Sequence, residues 1–274
     1  MPDFNPEDNE AASLQLTVET ALANLSGTDL SLRYYAAWWL GKFRVKQPAV
    51  VDALIGALED ESDRTEMGGY PLRRNAARAL GKLGDNRAVL GLIRCLDCSD
   101  FYVREAAAQS LEMLGDTAAV PALMQLLHGG IAAAELVEGR PHLVQPCEAV
   151  MEALGTLQAT EAIPLIQLFL EHSTKRVQYA AVRSMYQLTG ENNYGQRLVE
   201  ALQGTDVVLR RVALSDLGAI GYLPAAEAIS SAQVESSFKL IALKGLLDHQ
   251  KIPDSDNKLS DDAIRVMNLM DSLL

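Results

Sequence analysis

Apolar residues in this chain recur at intervals of three and four, the spacing of one face of a helix, and the recurrence itself repeats. Five segments share one pattern: LRYYAAWWLGKF (32–43), LRRNAARALGKLGD (72–85), VREAAAQSLEMLGD (103–116), LRRVALSDLGAIG (209–221) and FKLIALKGLL (238–247). Each has a basic residue, a small or apolar pair three and four positions on, and Leu seven on. CEAVMEALGTL (147–157) and VQYAAVRSMYQLTG (177–190) are weaker copies. The anchor positions are Leu40, Leu80, Leu111, Leu154, Met185, Leu217 and Leu246, so the unit is about 31 residues, with extra residues after the first and third copies.

Shorter helical runs lie between the copies: AVVDALIGAL (49–58), RAVLGLIRCL (87–96), AAVPALMQLL (118–127) and EAIPLIQLFL (161–170). Pro121 and Pro164 fall near the starts of such runs, where a missing N–H costs little. Asp29, Asp100 and Asp206 each stand four residues before the repeat Arg and read as N-caps. Two antiparallel helices per unit cannot bury their apolar stripes alone, and stacking gives them a shared core. The pattern therefore predicts an all-α, HEAT-like α-solenoid of about seven helix pairs with two insertions. It is read as one domain over 1–274: an N-terminal cap helix within 1–28, repeats over 29–250, then a polar linker and an amphipathic helix from about Asp261 within 251–274.

Composition narrows the function. The hydrophobic fraction is 49%, compatible with a packed core, and net charge is −12, which argues against general nucleic-acid binding. No apolar run approaches 18 residues, so no membrane span is expected. The acidic, polar start of the chain is unlike a secretory signal. Cys95, Cys98 and Cys147 are too few for a disulfide framework, which points to a reducing cytosol. Cys95 and Cys98 form a lone C-x-x-C with no second pair, and the four histidines have no ligand spacing, so no metal site is expected.

One segment departs from its siblings. Leu32–Phe43 holds both tryptophans of the chain together with Tyr34, Tyr35 and Phe43. Aligned through the repeat, Ala36, Ala37 and Leu40 occupy core positions. At about 100° per residue, Tyr34, Tyr35, Trp38 and Trp39 fall on the opposite face. The second repeat has Arg74, Asn75, Arg78 and Ala79 there, and the third has Glu105, Ala106, Gln109 and Ser110. Two readings stand side by side: packing of a terminal repeat under the N-terminal helix or a partner chain, and a stacking surface for a flat conjugated ligand. Arg74 and Arg78 would flank that surface and suit carboxylates, or they form a solvated face. The first insertion, EDESDRTEMGGYP (59–71), brings five acids and a Gly-Gly turn. The second (129–146) reads as a loop with a short helix.

YYAAWWL at 34–40, the repeat LRRNAARALGKLGD and the insertion EDESDRTEMGGYP together resemble the E-type subunit of the heterodimeric E/F phycobilin lyases. The resemblance covers most of the chain and is strongest over 28–116. It implies pairing with an F-type subunit and attachment of phycocyanobilin, a linear tetrapyrrole, by a thioether to a cysteine of the α-phycocyanin apoprotein. The bilin is substrate, and no nucleotide, metal or redox cofactor is implied. The isomerising members carry an Asn-His-Cys-Gln-Gly-Asn-like motif on the partner; nothing like it occurs here. On this resemblance Tyr34, Tyr35, Trp38 and Trp39 would stack on the bilin, and Arg33, Arg74 or Arg78 would take its propionates. Asp60, Glu61 or Asp63 would stabilise the protonated tetrapyrrole, general acid catalysis in outline. A non-catalytic scaffold for phycobiliproteins, or a protein that detaches or stores bilin, are the alternatives. The resemblance places the protein in the cyanobacterial cytosol with the phycobilisome.

Overall fold

A computed structural model describes residues 16–250 and 259–274. Among them every named element is helical, and strand pairing is confined to one antiparallel bridge between Leu136 and Leu143. The chain forms two compact units, up to Leu114 and from Gly115.

The first unit holds α1 (Val18–Leu25), α2 (Leu30–Lys42), α3 (Pro48–Ala57), α4 (Pro71–Leu83), α5 (Val89–Cys95) and α6 (Phe101–Leu114). The second holds α7 (Val120–Leu127), α8 (Cys147–Thr156), α9 (Ile163–Ile166), α10 (Lys175–Thr189), α11 (Asn192–Ala201), α12 (Val207–Ala219), α13 (Ala226–Ser231), α14 (Ser236–Asp248) and α15 (Asp261–Asp271). The seven repeat segments are the seven even-numbered helices from α2 to α14. Their anchors are buried, with Leu40, Leu80, Leu111, Leu154, Leu217 and Leu246 fully inaccessible and Met185 nearly so. Each buried Leu contributes roughly 1.5–3 kcal/mol, so the seven-residue spacing is sufficient to specify the core.

The acids read as caps do cap. Asp29 Oδ1 accepts the N–H groups of Ser31 and Leu32 at 2.9 and 3.0 Å, and Asp206 does the same for Val208 and Leu209. Asp100 accepts from Tyr102 N–H and, across the repeat, from Tyr70 N–H. Gly84 and Gly190 end α4 and α10 in the left-handed conformation that glycine adopts without cost.

Even-numbered neighbours approach through small residues. A Cβ on Gly41 would lie 2.7 Å from the Ala79 Cα, and one on Gly81 would lie 2.9 Å from the Ser110 Cα. Gly155 and Ser184 repeat the arrangement in the second unit. At each of these three pairs the residue after the anchor of one helix meets the residue before the anchor of the next.

The run 161–170 is less regular than expected: α9 is a single turn between two 3₁₀ turns. The second insertion contains a 3₁₀ helix at Gly130–Ala134 and the Leu136–Leu143 bridge. A described helix, α1, lies within the N-terminal stretch expected to hold one, and α15 begins at Asp261, burying Ala263 and Val266. The polar linker lies largely in 251–258, outside the described residues, as do residues 1–15. No described helix is long and apolar enough to cross a membrane.

Candidate functional site

The aromatic segment forms α2, with Ala36, Ala37 and Leu40 fully buried while Tyr34, Tyr35 and Trp38 are 43–47% exposed. The aromatic residues divide between two surfaces. Tyr34 and Trp38 look onto α4 and α6, where they line a cavity of about 550 Å³. Trp39 is not among the residues lining that cavity; it packs on Phe43, ring centroids 5.0 Å apart, half-buried rather than open. It stands just before the anchor Leu40, as Ala79 and Ser110 stand before theirs. Tyr35 lies between the two surfaces, tilted against Trp38 at 5.4 Å.

Small residues make the floor of the cavity: Ala37, Gly41, Ala79 and Ser110. The Ser110 hydroxyl donates to Ala77 C=O at 2.8 Å, and the Asn75 amide donates to Tyr34 C=O at 3.2 Å, tying α4 to α6 and to α2. The α4 wall is cationic. Arg78 and Lys82 line it, one turn apart, opposite Trp38. Arg74, one turn earlier, lies 5.2 Å over the Tyr102 ring, and its buried Nε has no hydrogen-bond partner. Burial and the neighbouring Arg74 charge push the Arg78 pKa down, while Glu105, at 4.0 Å, and Tyr34 oppose them. The Arg78 guanidinium remains charged and under-compensated.

The acidic insertion is ordered by the repeat. Arg33 donates to Leu25 C=O, pairs with Asp60 and bonds Ser62. Partial burial raises the Asp60 pKa, but bonds from Arg33 and Ser62 outweigh it and hold the carboxyl below its usual range. Arg33 and Asp60 therefore neutralise each other, and neither is among the residues lining the cavity. Glu61 is exposed and pairs with Arg73 at 3.2 Å. Asp63 differs. It is 8% exposed, its Oδ2 accepts Leu72 N–H at 2.5 Å in the first turn of α4, and its Oδ1 has no partner. Burial raises its pKa despite that bond. Asp63 lines a second cavity, about 350 Å³, with Leu30, Ser31, Pro71 and Tyr34. Tyr34 is thus the shared wall between the cationic cavity and the buried acid.

Of the residues singled out from the sequence, the structure gathers Tyr34, Trp38, Arg78 and Asp63 around two adjoining cavities. Arg33, Asp60 and Glu61 are engaged in ion pairs, Trp39 packs on Phe43, and Arg74 rests on Tyr102. Lys82 was not singled out, although Arg74, Arg78 and Lys82 recur at every fourth residue.

Fold and site together define an α-helical repeat protein with a cavity of aromatic and cationic lining in its first unit. Family models agree: one of HEAT repeats matches residues 68–134, and one of PBS lyase HEAT-like repeats matches 32–60 and 147–172. The chain is 72% identical over 261 residues to the phycocyanobilin lyase subunit alpha of Nostoc sp. PCC 7120, covering 95% of both chains. It is 68% identical over 243 residues to that of Thermosynechococcus vestitus, covering 86% of this chain and 88% of that one. Among solved structures it matches the complex of CpcE and CpcF of phycocyanin lyase from Nostoc sp. PCC7120, with a TM-score of 0.90 and 69% identity, covering 100% of this chain and 99% of that chain. The chain belongs to the family of phycocyanobilin lyase alpha subunits.

Proposed function

We propose that this chain is one subunit of a heterodimeric phycocyanobilin lyase, acting with an F-type partner to attach phycocyanobilin to a cysteine of the α-phycocyanin apoprotein. The carrying observation is the cavity in which an exposed indole and phenol face under-compensated cations. A linear tetrapyrrole is flat, conjugated and carries two propionates. Its rings stack on Trp38 and Tyr34, and its carboxylates meet the α4 wall.

The reaction is an addition. The acceptor thiol sulfur bonds to the exocyclic carbon of the ring-A ethylidene, the carbon–carbon double bond opens, and a proton ends on the ring carbon; nothing leaves and no oxidant is needed. A protonated tetrapyrrole is the better electrophile. Asp63 is the acid whose setting supports that role, with one oxygen unpartnered and a raised pKa beside Tyr34. The sulfur belongs to the acceptor, so the larger contribution of this chain is to hold the bilin in one conformation.

The test is reconstitution. This chain, its F-type partner, the apo-α subunit and phycocyanobilin are mixed, then denatured, and the colour retained on the α chain is read. Transfer in the complete mixture and not without this chain is expected. Equal colour in both mixtures, with both subunits folded, would replace the lyase reading with a scaffold.

A further inference from the structure

The α4 wall offers two cations, and their spacing carries more than general attraction for an anion. Arg78 and Lys82 lie four residues apart on a helix, about 6 Å along its axis. Both line the cavity opposite Trp38. Glu105 is the nearest carboxylate to Arg78, at 4.0 Å, and Lys82 forms no ion pair among the described residues. In a chain of net charge −12, leaving two neighbouring cations under-compensated at a cavity wall has an electrostatic cost that a ligand with two anionic groups would remove. Arg74 extends the stripe but rests over Tyr102.

We propose that Arg78 and Lys82 form a two-point clamp for two carboxylates of one ligand, so that the site selects linear tetrapyrroles with both propionates free. This rests on the bilin reading above and adds an orientation to it. The propionates of such a pigment stand on its two inner rings, either side of the central bridge. A clamp along α4 sets those rings parallel to the helix axis. One terminal ring then points toward the start of α4, where Tyr34 separates the cavity from Asp63. The other points toward Met113 at the end of α6. The clamp thus positions an end of the pigment near the buried acid.

The test uses the full chain with its F-type partner and two probes, phycocyanobilin and its dimethyl ester, titrated by absorbance and induced circular dichroism. Wild type is expected to bind the diacid about tenfold or more tightly than the diester, the ratio that one charge-assisted contact of about 1.4 kcal/mol supplies. Lys82→Met and Arg78→Met should each weaken diacid binding severalfold and leave diester binding unchanged, while Arg78→Lys should keep part of the preference. Lys82 is exposed, so its replacement keeps the fold, checked by far-ultraviolet circular dichroism. Equal affinity of wild type for both pigments would overturn the clamp and leave the bilin reading standing. Variants that weaken both pigments alike would also overturn it. A wild-type complex that binds neither pigment would overturn both.

Discussion

The two units treat the cations on their even-numbered helices in opposite ways. In the first unit Arg78 sits two residues before the α4 anchor, 4.0 Å from its nearest acid, with a second cation one turn on. In the second unit Arg183 holds the equivalent place on α10 and is clasped from both sides. Its Nη1 lies 3.1 Å from Glu152 on α8 and 3.5 Å from Asp216 on α12. Arg176, two turns earlier, pairs with Glu148. The same repeat position therefore lines a cavity in one unit and makes a cross-helix tie in the other. What decides is whether the adjoining helices supply carboxylates or aromatic and small residues.

The largest expected difference is in stability. Arg183→Ala strands Asp216, 3% exposed, beside Glu152, and loss of one partner of a buried pair costs about 3–5 kcal/mol. For a unit of this size that is a fall in Tm of roughly 10 °C. Arg78→Ala should stay within about 0.5 kcal/mol, because it removes a cation that Arg74 already repels. Thermal melts of the two variants would erase the contrast if both fell equally.

Next in size is a pH effect from the same cluster. Burial pushes the Asp216 pKa up to about 6, with Arg183 opposing and Glu148 adding to the rise. Unfolded, the carboxyl ionises near 3.8. Between those values the folded chain keeps a proton that the unfolded chain has lost, so this group's contribution falls as pH rises through the window and levels off above about 6. The full difference is roughly 3 kcal/mol. Asp216→Asn should lose this slope. Parallel Tm profiles for wild type and variant from pH 4.5 to 7 would show that Asp216 does not titrate there.

The first unit's side of the contrast concerns affinity. Trp38→Ala removes a ring that is 43% exposed and lines the cavity. Bilin affinity should fall about tenfold or more with Tm unchanged. Trp39→Ala, outside the cavity lining and packed on Phe43, should leave affinity within about twofold. A reversal of this order would move the stacking surface from Trp38 to Trp39.

Much of this was legible from the chain. The seven anchors follow from the period alone, because burial of Leu or Met at every repeat leaves no other register. The caps follow from Asp four residues before a basic residue. The separation of Trp38 from Trp39 did not follow, since the two lie about 100° apart on a helical wheel and the period does not say which of them reaches α4 and α6. Nor did the pairing of Arg33 with Asp60, which depends on how the insertion folds back over α2. Lys82 was visible as the third member of an every-fourth-residue series, but it resembled an ordinary exposed lysine near a helix end.

The smallest effect tests whether the units share their helix-starting chemistry where their sites differ. Asp29 caps α2 and Asp206 caps α12 with the same pair of hydrogen bonds. Each Asp→Ala change should cost about 1 kcal/mol, and amide exchange should quicken in the first turn of the affected helix: Ser31 and Leu32 in one case, Val208 and Leu209 in the other. Asp29→Ala should also lower bilin affinity slightly, because Leu30, Ser31 and Tyr34 of that turn line the cavity beside Asp63. Asp206→Ala should leave affinity untouched. Equal stability losses with unequal affinity losses would place ligand recognition in the first unit. Equal affinity losses would mean that bilin binding draws on both.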